Sequence, residues 1–521
     1  MTIRILFKNR PLAIVGGFVL VLFFLMALWA PFLACSKPIC VVYKGQWYFP
    51  LFRYLLSSLF FTKKIDLFFN ALGLFFLPFL VTFFIKGRWR LRSQCVIVLL
   101  FCSCFIYFGF FKVYDPAISV RLNQERQEEY LRQLADEPMR GKPRPRLQLP
   151  SWDFELAYLN DYAKLNLVLA QKSIEDQALR LHNADTRYSH QQEEFKNQVD
   201  RLTSELQGGK EQYQEHLKEE TKLRRLVVRN PTVQPLLLKV EEDNEQYEER
   251  ENQLDYLIDR QKWLDQEIKK ISFIVMPLIR PYHWEEEVGG DQRLNSKLPF
   301  QELTRINRKD LVAALIFGSR ISLLVGFGAT LLACAIGIPM GLAAGFYGGK
   351  CDIAISRFVE VWEAMPTFFM LMLLVTLLQT KAIPIVIAVI ALFGWTTCFR
   401  FVRAETFRQR EMLYIDAARA LGFSNLRILC VHVLPNSLIA VLALLPFDIM
   451  GAITKESGLA FLGLGEERSC SWGVLMDEGR QAFPAESMLL WPPAIVLTIL
   501  LLAIAFVGEA VQSAANPKER L

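Results

Sequence analysis

The sequence predicts an all-α polytopic membrane protein, on three observations. Of its 521 residues 52% are hydrophobic, and 40 are Phe, which sets it apart from disordered chains and small disulfide-stapled modules. Eight apolar stretches approach the roughly 20 residues that a helix needs to cross about 30 Å of hydrocarbon. Finally, 59 of the 112 charged residues fall between 121 and 290, so two apolar regions flank one water-soluble block.

The stretches are 11–34, 67–85, 95–111, 321–345, 366–378, 383–399, 433–453 and 488–507. The fifth and sixth are short and divided only by Gln379, Thr380 and Lys381, yet together they are too long for one crossing. The first ends in Phe32-Leu33-Ala34-Cys35, in the manner of a lipoprotein cleavage site, but it exceeds a signal h-region in length and reads as a retained anchor. Orientation follows from the basic residues. Arg4, Lys8, Arg10, Lys86, Arg88, Arg90, Arg92, Lys350, Arg357, Arg400, Arg403, Arg408, Arg410, Arg419, Arg427, Lys518 and Arg520 all fall on one side of an eight-span chain. Both termini are then cytoplasmic in an inner membrane; Lys37, Lys44, Arg53, Lys63 and Lys64 dissent. The divisions are a tail and first span (1–34), an outer loop (35–66), two further spans (67–112), an extracytoplasmic insert (113–309) and a C-terminal core (310–521).

The net charge of +6 gathers beside apolar spans, which suits contact with lipid and gives no nucleic-acid footprint. The ten Cys show no metal-ligand spacing, so no metal site is expected; Cys95, Cys102, Cys104, Cys334 and Cys398 act as small hydrophobes, whereas Cys35 and Cys40 could pair in an oxidising compartment. In the insert, Ile174, Leu181, Tyr188, Phe195 and Leu202 recur every seven residues beside Ala178, Val199, Leu206 and Tyr213, with Asp185 and Gln192 as polar seam positions. A second stripe (Val240, Tyr247, Leu254, Ile268 with Leu257, Leu264, Ile271) follows Pro231 and Pro235, so a coiled-coil antiparallel hairpin is expected, with Gly208 and Gly209 as a possible break. It either packs only on itself or offers a platform to a partner. The Pro-rich basic run 137–150 reads as an extended linker into it.

Between the sixth and seventh spans (400–432), Tyr414-Ile415-Asp416-Ala417-Ala418-Arg419-Ala420-Leu421-Gly422-Phe423-Ser424-Asn425 predicts a short helix, a glycine turn and a second helix. Ser424 or Asn425 would cap that second helix, and Leu434-Pro435 would open the next span. Ala417 and Ala418 would let a partner backbone approach; the alternative is an interfacial helix whose arginines touch headgroups. This stretch resembles the cytoplasmic loop signature of ABC importer permeases at Ala417, Ala418, Gly422, Leu434 and Pro435, with Asp416 in place of the usual Glu and His432 where an apolar residue is usual. The segments 317–326, 345–352, 363–366 and 461–465 are similar to the second permease subunit of oligopeptide, dipeptide and nickel importers, and 42–50 is similar to the microcin C and peptide permease branch. Against that family the chain adds two spans and the insert, and it keeps only Lys309-Asp310-Leu311 of the segment before the second core span.

The resemblance implies a non-catalytic permease subunit for oligopeptides or peptide-like compounds. Its partners would be a related permease, two ATPase subunits or one fused ATPase, and an extracytoplasmic solute-binding protein. With no Gly-x-x-x-x-Gly-Lys-Ser/Thr loop here, this chain binds no cofactor, and ATP and Mg belong to the partner. The coupling residues implied are Asp416, Ala417, Ala418, Arg419, Gly422, Leu434 and Pro435. Charged groups in spans are costly, so Asp448, Lys455 and Glu456 are the candidates for a translocation path, although Lys455 and Glu456 could simply snorkel. A rival class is a non-transporting scaffold or mechanical-coupling protein acting through its outer coiled coil. An intramembrane hydrolase is weaker, because His432 lacks a Ser or Asp companion.

Overall fold

The computed structural model describes residues 10–85, 87–111, 120–135, 151–180, 185–227, 231–286, 309–484 and 489–515. Arg4, Lys8, Lys86, Lys518, Arg520, the linker 137–150, seam residue Leu181 and the start of the eighth stretch lie outside them. The chain is mostly helical and polytopic. Its elements begin with α1 (Pro11–Leu28), α2 (Ala30–Leu33), β1 (Cys40–Tyr43), β2 (Gln46–Tyr48), α3 (Pro50–Tyr54), α4 (Lys64–Val81) and α5 (Arg88–Phe110). The insert holds α6 (Val120–Ala135), α7 (Trp152–Tyr158), α8 (Asp161–Arg180), α9 (Asp185–Val227), α10 (Gln234–Ile268) and β3 (Ile271–Val275). The core comprises α11 (Leu311–Tyr347), α12 (Gly349–Glu363), α13 (Thr367–Leu377), α14 (Ile383–Arg410), α15 (Leu413–Ala420), α16 (Asn425–Ile428), α17 (Leu434–Leu459), α18 (Trp472–Gln481) and α19 (Trp491–Ala515).

Among the described residues seven helices are long and apolar enough to cross a membrane. The expected fifth span is not one of them. Its helix α13 has 11 residues and qualifies only together with α12, to which it is bent by 78°, so this stretch is a broken span or a re-entrant segment. Pro366 sits at the bend, where its ring disfavours continued helix in the residue before it.

The all-helical expectation also needs an addition, a three-stranded sheet ordered β2-β1-β3, antiparallel throughout. Lys44 and Gly45 both have positive φ (51° and 76°), as the tight turn joining β1 and β2 requires. The same β1 pairs with β3, 230 residues away, so the loop after α1 and the end of the insert are knitted together. Tyr43 and Lys44 both reach Glu267 at the end of α10, at 2.6 and 3.2 Å. Burial works against the Glu267 charge, but bonds from Lys270, Tyr43 and Lys44 hold its carboxyl below the usual carboxylate range. Cys35 and Cys40 are free thiols. Cys35 is enclosed in the main core beside Ala34 and Trp284, where burial pushes its thiol up to about 12 and leaves it inert.

Helices α9 and α10 pair antiparallel: Arg250 meets Glu205 at 3.5 Å, Tyr213 stacks on Tyr247 at 4.4 Å, and Arg224 meets Glu241 at 3.0 Å. Gly208 and Gly209 do not break α9. A Cβ on Gly209 would come within 3.3 Å of the Tyr247 ring, so this glycine gives the tyrosine stack its clearance. The heptad pattern did not foretell the buried polar trio at the hairpin's far end, in which Asn244 Nδ2 and Arg224 Nη2 both donate to Glu220.

Two features of α11 organise the core. Along its second half Gly337, Gly341 and Gly345 face α14, where a Cβ would fall 2.6 to 2.8 Å from Trp395 O, Phe399 O and Thr406 Cβ; backbone contact of this closeness needs small residues. In its first half Arg320 is fully buried. Its Nε donates to Ala27 O on α1 (2.7 Å), its Nη1 to Asp66 Oδ1 on α4 (2.8 Å) and its Nη2 to Asn70 Oδ1 (2.7 Å). One guanidinium thus joins α1, α4 and α11, and α5 hangs on α4 with its window unburied. Span four was expected to begin at Ile321, which left Arg320 outside it. The helix starts ten residues earlier because Asp310 caps it, accepting from Ala313 N at 2.7 Å while Arg280 pairs with its other oxygen at 3.2 Å.

Removing one partner from a buried ion pair costs about 3 to 5 kcal/mol. Asp66→Ala is therefore expected to lower the thermal midpoint in detergent sharply, and Asp66→Leu with Arg320→Met to recover most of it; an unchanged midpoint in Asp66→Ala would remove the hub. His283 is packed among Phe60, Phe61 and Phe317, and burial, reinforced by the Arg320 charge, depresses it to about 3. Between pH 6.5 and 3 the unfolded chain takes up a proton there and the folded chain does not. Stability should fall as pH drops through that window, by up to about 1.4 kcal/mol per pH unit from this group. Midpoints measured against pH for wild type and His283→Phe check it: the variant's dependence should be shallower.

Candidate functional site

The far end of the bundle from the sheet carries the loop 411–433. Helix α15 ends in a Schellman arrangement, in which Gly422 N donates to Arg419 O (2.9 Å) and Phe423 N to Ala418 O (3.1 Å), with Gly422 at φ +77°. Ser424 caps α16, accepting from Arg427 N at 3.4 Å. A π-helical turn, Leu429–Val433, then leads into α17, with Pro435 in its first turn. The result is a tight knuckle pinned to the core from one side. Ile415, Ala418, Ile428 and Val433 are buried with Leu342 and Phe346 of α11 and Val402 of α14, and Leu434 packs against them. Tyr414 Oη bridges the base, donating to Gln409 at 2.5 Å and accepting from Asn436 at 3.2 Å.

Of the residues singled out in the sequence, Asp416 is exposed and pairs with Arg419 at 3.4 Å, and Ala417, Gly422 and Pro435 are also exposed. Ala418 is different. It faces inward at 5% exposure, so it seats the knuckle on its own core and offers no surface to a partner. The outward face consists of Leu413, Leu421 and Leu426, exposed by 86, 74 and 68%, amid Arg419 and Arg427. Sequence reasoning passed over these leucines because a leucine in a helical run reads as core. His432, the departure from the expected apolar position, stacks on Phe423 at an interplanar angle of 7°, and the Arg427 guanidinium lies 4.3 Å from the same ring. An aromatic platform here replaces aliphatic packing.

The second feature is a cavity of about 420 Å³ between α11, α14, α17 and the α12–α13 bend. Asp448 and Lys455 both line it, as their spacing of two helical turns suggested, with Thr330, Thr396, Glu363 and Arg400. Glu363 and Arg400 pair across it at 3.1 Å. Glu456 does not join them. It is buried on another face of α17, accepting from Ser471 Oγ at 2.6 Å and Ser457 Oγ at 3.4 Å, away from the cavity that Asp448 and Lys455 line. Among the described residues no group of His, Cys, Asp and Glu could hold a metal ion. Arg403, bidentate to Asp352, ties α14 to α12 beside the knuckle.

Residues 337–521, which contain both features except the α11 wall at Ala329, Thr330 and Ala333, match a family described as binding-protein-dependent transport system inner membrane component. Residues 2–48 match the N-terminal TM domain of oligopeptide transport permease C. The oligopeptide transport system permease protein OppC of Haemophilus influenzae is 33% identical over 256 residues, 48% of this chain and 81% of its own. The chain belongs to the oligopeptide transport permease family. The inner membrane ABC transporter permease protein YejE of Escherichia coli K12 is 39% identical over 42% of this chain and 63% of its own. The peptidoglycan transport system permease protein YejE of Agrobacterium fabrum is 35% identical over 40% and 55%. The chain thus matches less than two thirds of the length of either YejE protein. Between the two family matches lie α4, α5, the insert and the first half of α11, Arg320 included.

A Cβ at Gly422 would touch nothing, so substitution there acts through backbone strain alone, on the order of 1 to 2 kcal/mol for a left-handed residue. Gly422→Val is expected to speed hydrogen exchange at Phe423 N–H by about tenfold or more, and Gly422→Asn less, with the thermal midpoint little changed. Equal protection in all three proteins would show that the turn is not set by φ.

Proposed function

We propose that this chain is the membrane-spanning permease subunit of an ATP-driven importer of oligopeptides or peptide-like compounds, in the inner membrane. The observation that carries the reading is the knuckle, a leucine-tipped helix pair seated rigidly on α11 and α14 and bordered by basic residues. An energy-supplying neighbour would grip Leu413, Leu421 and Leu426 in a groove. Two ATPase subunits, or one fused ATPase, supply nucleotide and Mg; a second related permease completes the path, and an extracytoplasmic binding protein delivers cargo. Both termini and the knuckle lie in the cytoplasm, which eight crossings allow if the bent α12–α13 pair counts as one, and the insert lies outside. When the ATPases close, the knuckle is carried with them. Because Asp416, Arg419, Gly422 and the Leu434-Pro435 junction form one unit with α14 and α17, the displacement becomes rigid-body rocking that exchanges inward for outward access. The peptide class follows the relatives' names, one of which specifies peptidoglycan.

The test is purification of the intact membrane complex through this chain, followed by reconstitution with the binding protein. Recovery of a second permease and nucleotide-hydrolysing subunits, with ATP-dependent uptake of labelled tripeptide, is expected. Leu421→Asp should reduce ATPase recovery about tenfold while leaving the chain membrane-inserted and folded. Recovery without any ATPase would favour a scaffold acting through the outer hairpin.

A further inference from the structure

Charges inside spans are expensive unless paired, and this chain pairs nearly all of those described. Arg320 has Asp66 and Asn70, Asp352 has Arg403, Glu363 has Arg400, and Glu456 has two serines. Asp448 and Lys455 are exceptions: both are partly buried in α17, and neither has a hydrogen bond or close ion pair among the described residues. Seven residues separate them, about 10 Å along the helix axis, and they act on one another only through space, with no hydrogen bond or ion pair between them. Both open on the cavity of about 420 Å³. A third group in the same wall is also unsatisfied: Thr330 is 4% exposed and its hydroxyl has no hydrogen-bond partner. An unused carboxylate, an unused ammonium and an unused hydroxyl around one space describe a site awaiting a ligand of complementary charge.

We infer that Asp448 and Lys455 recognise the two charged ends of a zwitterionic cargo, an unblocked peptide of about three residues, as it passes this cavity. The inference rests on the importer reading above and names what this part of the path selects. The cargo's ammonium pairs with Asp448 and its carboxylate with Lys455. An extended chain advances about 3.3 to 3.6 Å per residue, so three residues span roughly the 10 Å of helix rise between the two positions. Thr330 meets a peptide group between them, and the Glu363–Arg400 pair borders the cavity where α12 and α14 approach.

The experiment measures ATP-driven uptake by the reconstituted complex of trialanine, N-acetyl-trialanine and trialanine amide, each as a ratio to the unblocked peptide, so that selection by the binding protein cancels between variants. In wild type the unblocked peptide should be preferred. Asp448→Asn should cut its advantage over the N-acetyl peptide about tenfold and leave the advantage over the amide unchanged. Lys455→Gln should do the reverse. If Asp448→Asn fails to assemble, judged by ATPase recovery, Lys455→Gln alone carries the comparison. Ratios identical to wild type in the assembled variants, or both ratios falling together, overturn the inference while leaving the importer reading intact. Absence of uptake by the wild-type complex overturns the importer reading and this inference with it.

Discussion

A single buried guanidinium sets the architecture. Arg320 could not remain charged inside a span without partners, and it takes three of them from two other helices: the Ala27 carbonyl on α1, and Asp66 and Asn70 on α4. Each acceptor is held in turn by its own helix, with Asn70 also donating to Leu55 O at 2.8 Å. The network fixes where α4 meets the core, and α4 carries α5. The pair α4 and α5 is thereby joined to α1 and α11, at the end of the bundle next to the sheet that ties β1 to β3.

The same helix reaches the opposite end of the molecule. Over 37 residues α11 runs from the Asp310 cap and the Arg320 hub, past the glycine stripe that lets α14 lie against it, to Phe346 beneath the knuckle. The Arg320 hub and the seat of the knuckle therefore share one rod. Its middle borders the cavity holding Asp448 and Lys455. Helix α15 is connected to this cavity through packed helices. The buried Thr406–Ser437 contact at 3.3 Å joins α14 to α17 along that route.

What could be read in the sequence was what obeys local rules. Apolar length located seven of the eight expected spans, and the Gly422 turn and a cap at Ser424 or Asn425 were legible because each meets a local backbone requirement. What could not be read depends on contacts between distant segments. The sheet unites residues 230 positions apart, and the Asp66–Arg320 pair joins two flanks that each looked like a span's polar edge. The inward turn of Ala418 was hidden because alanine suits both a partner's approach and a packed core. Asp448 and Glu456 are both carboxylates on α17, yet eight residues of helix and the position of Ser471 send one into the cavity and the other into a serine cradle. Charge in a span flagged both; only packing told them apart.

The central claim is that the exposed leucines of the knuckle meet an energy-supplying partner and not the bilayer. Photocrosslinking in native membranes from a benzophenone amino acid placed at Leu421 tests it most directly. A dominant adduct with a nucleotide-hydrolysing subunit is expected, its yield changing when ATP is bound. Adducts with lipid alone, insensitive to nucleotide, would contradict it.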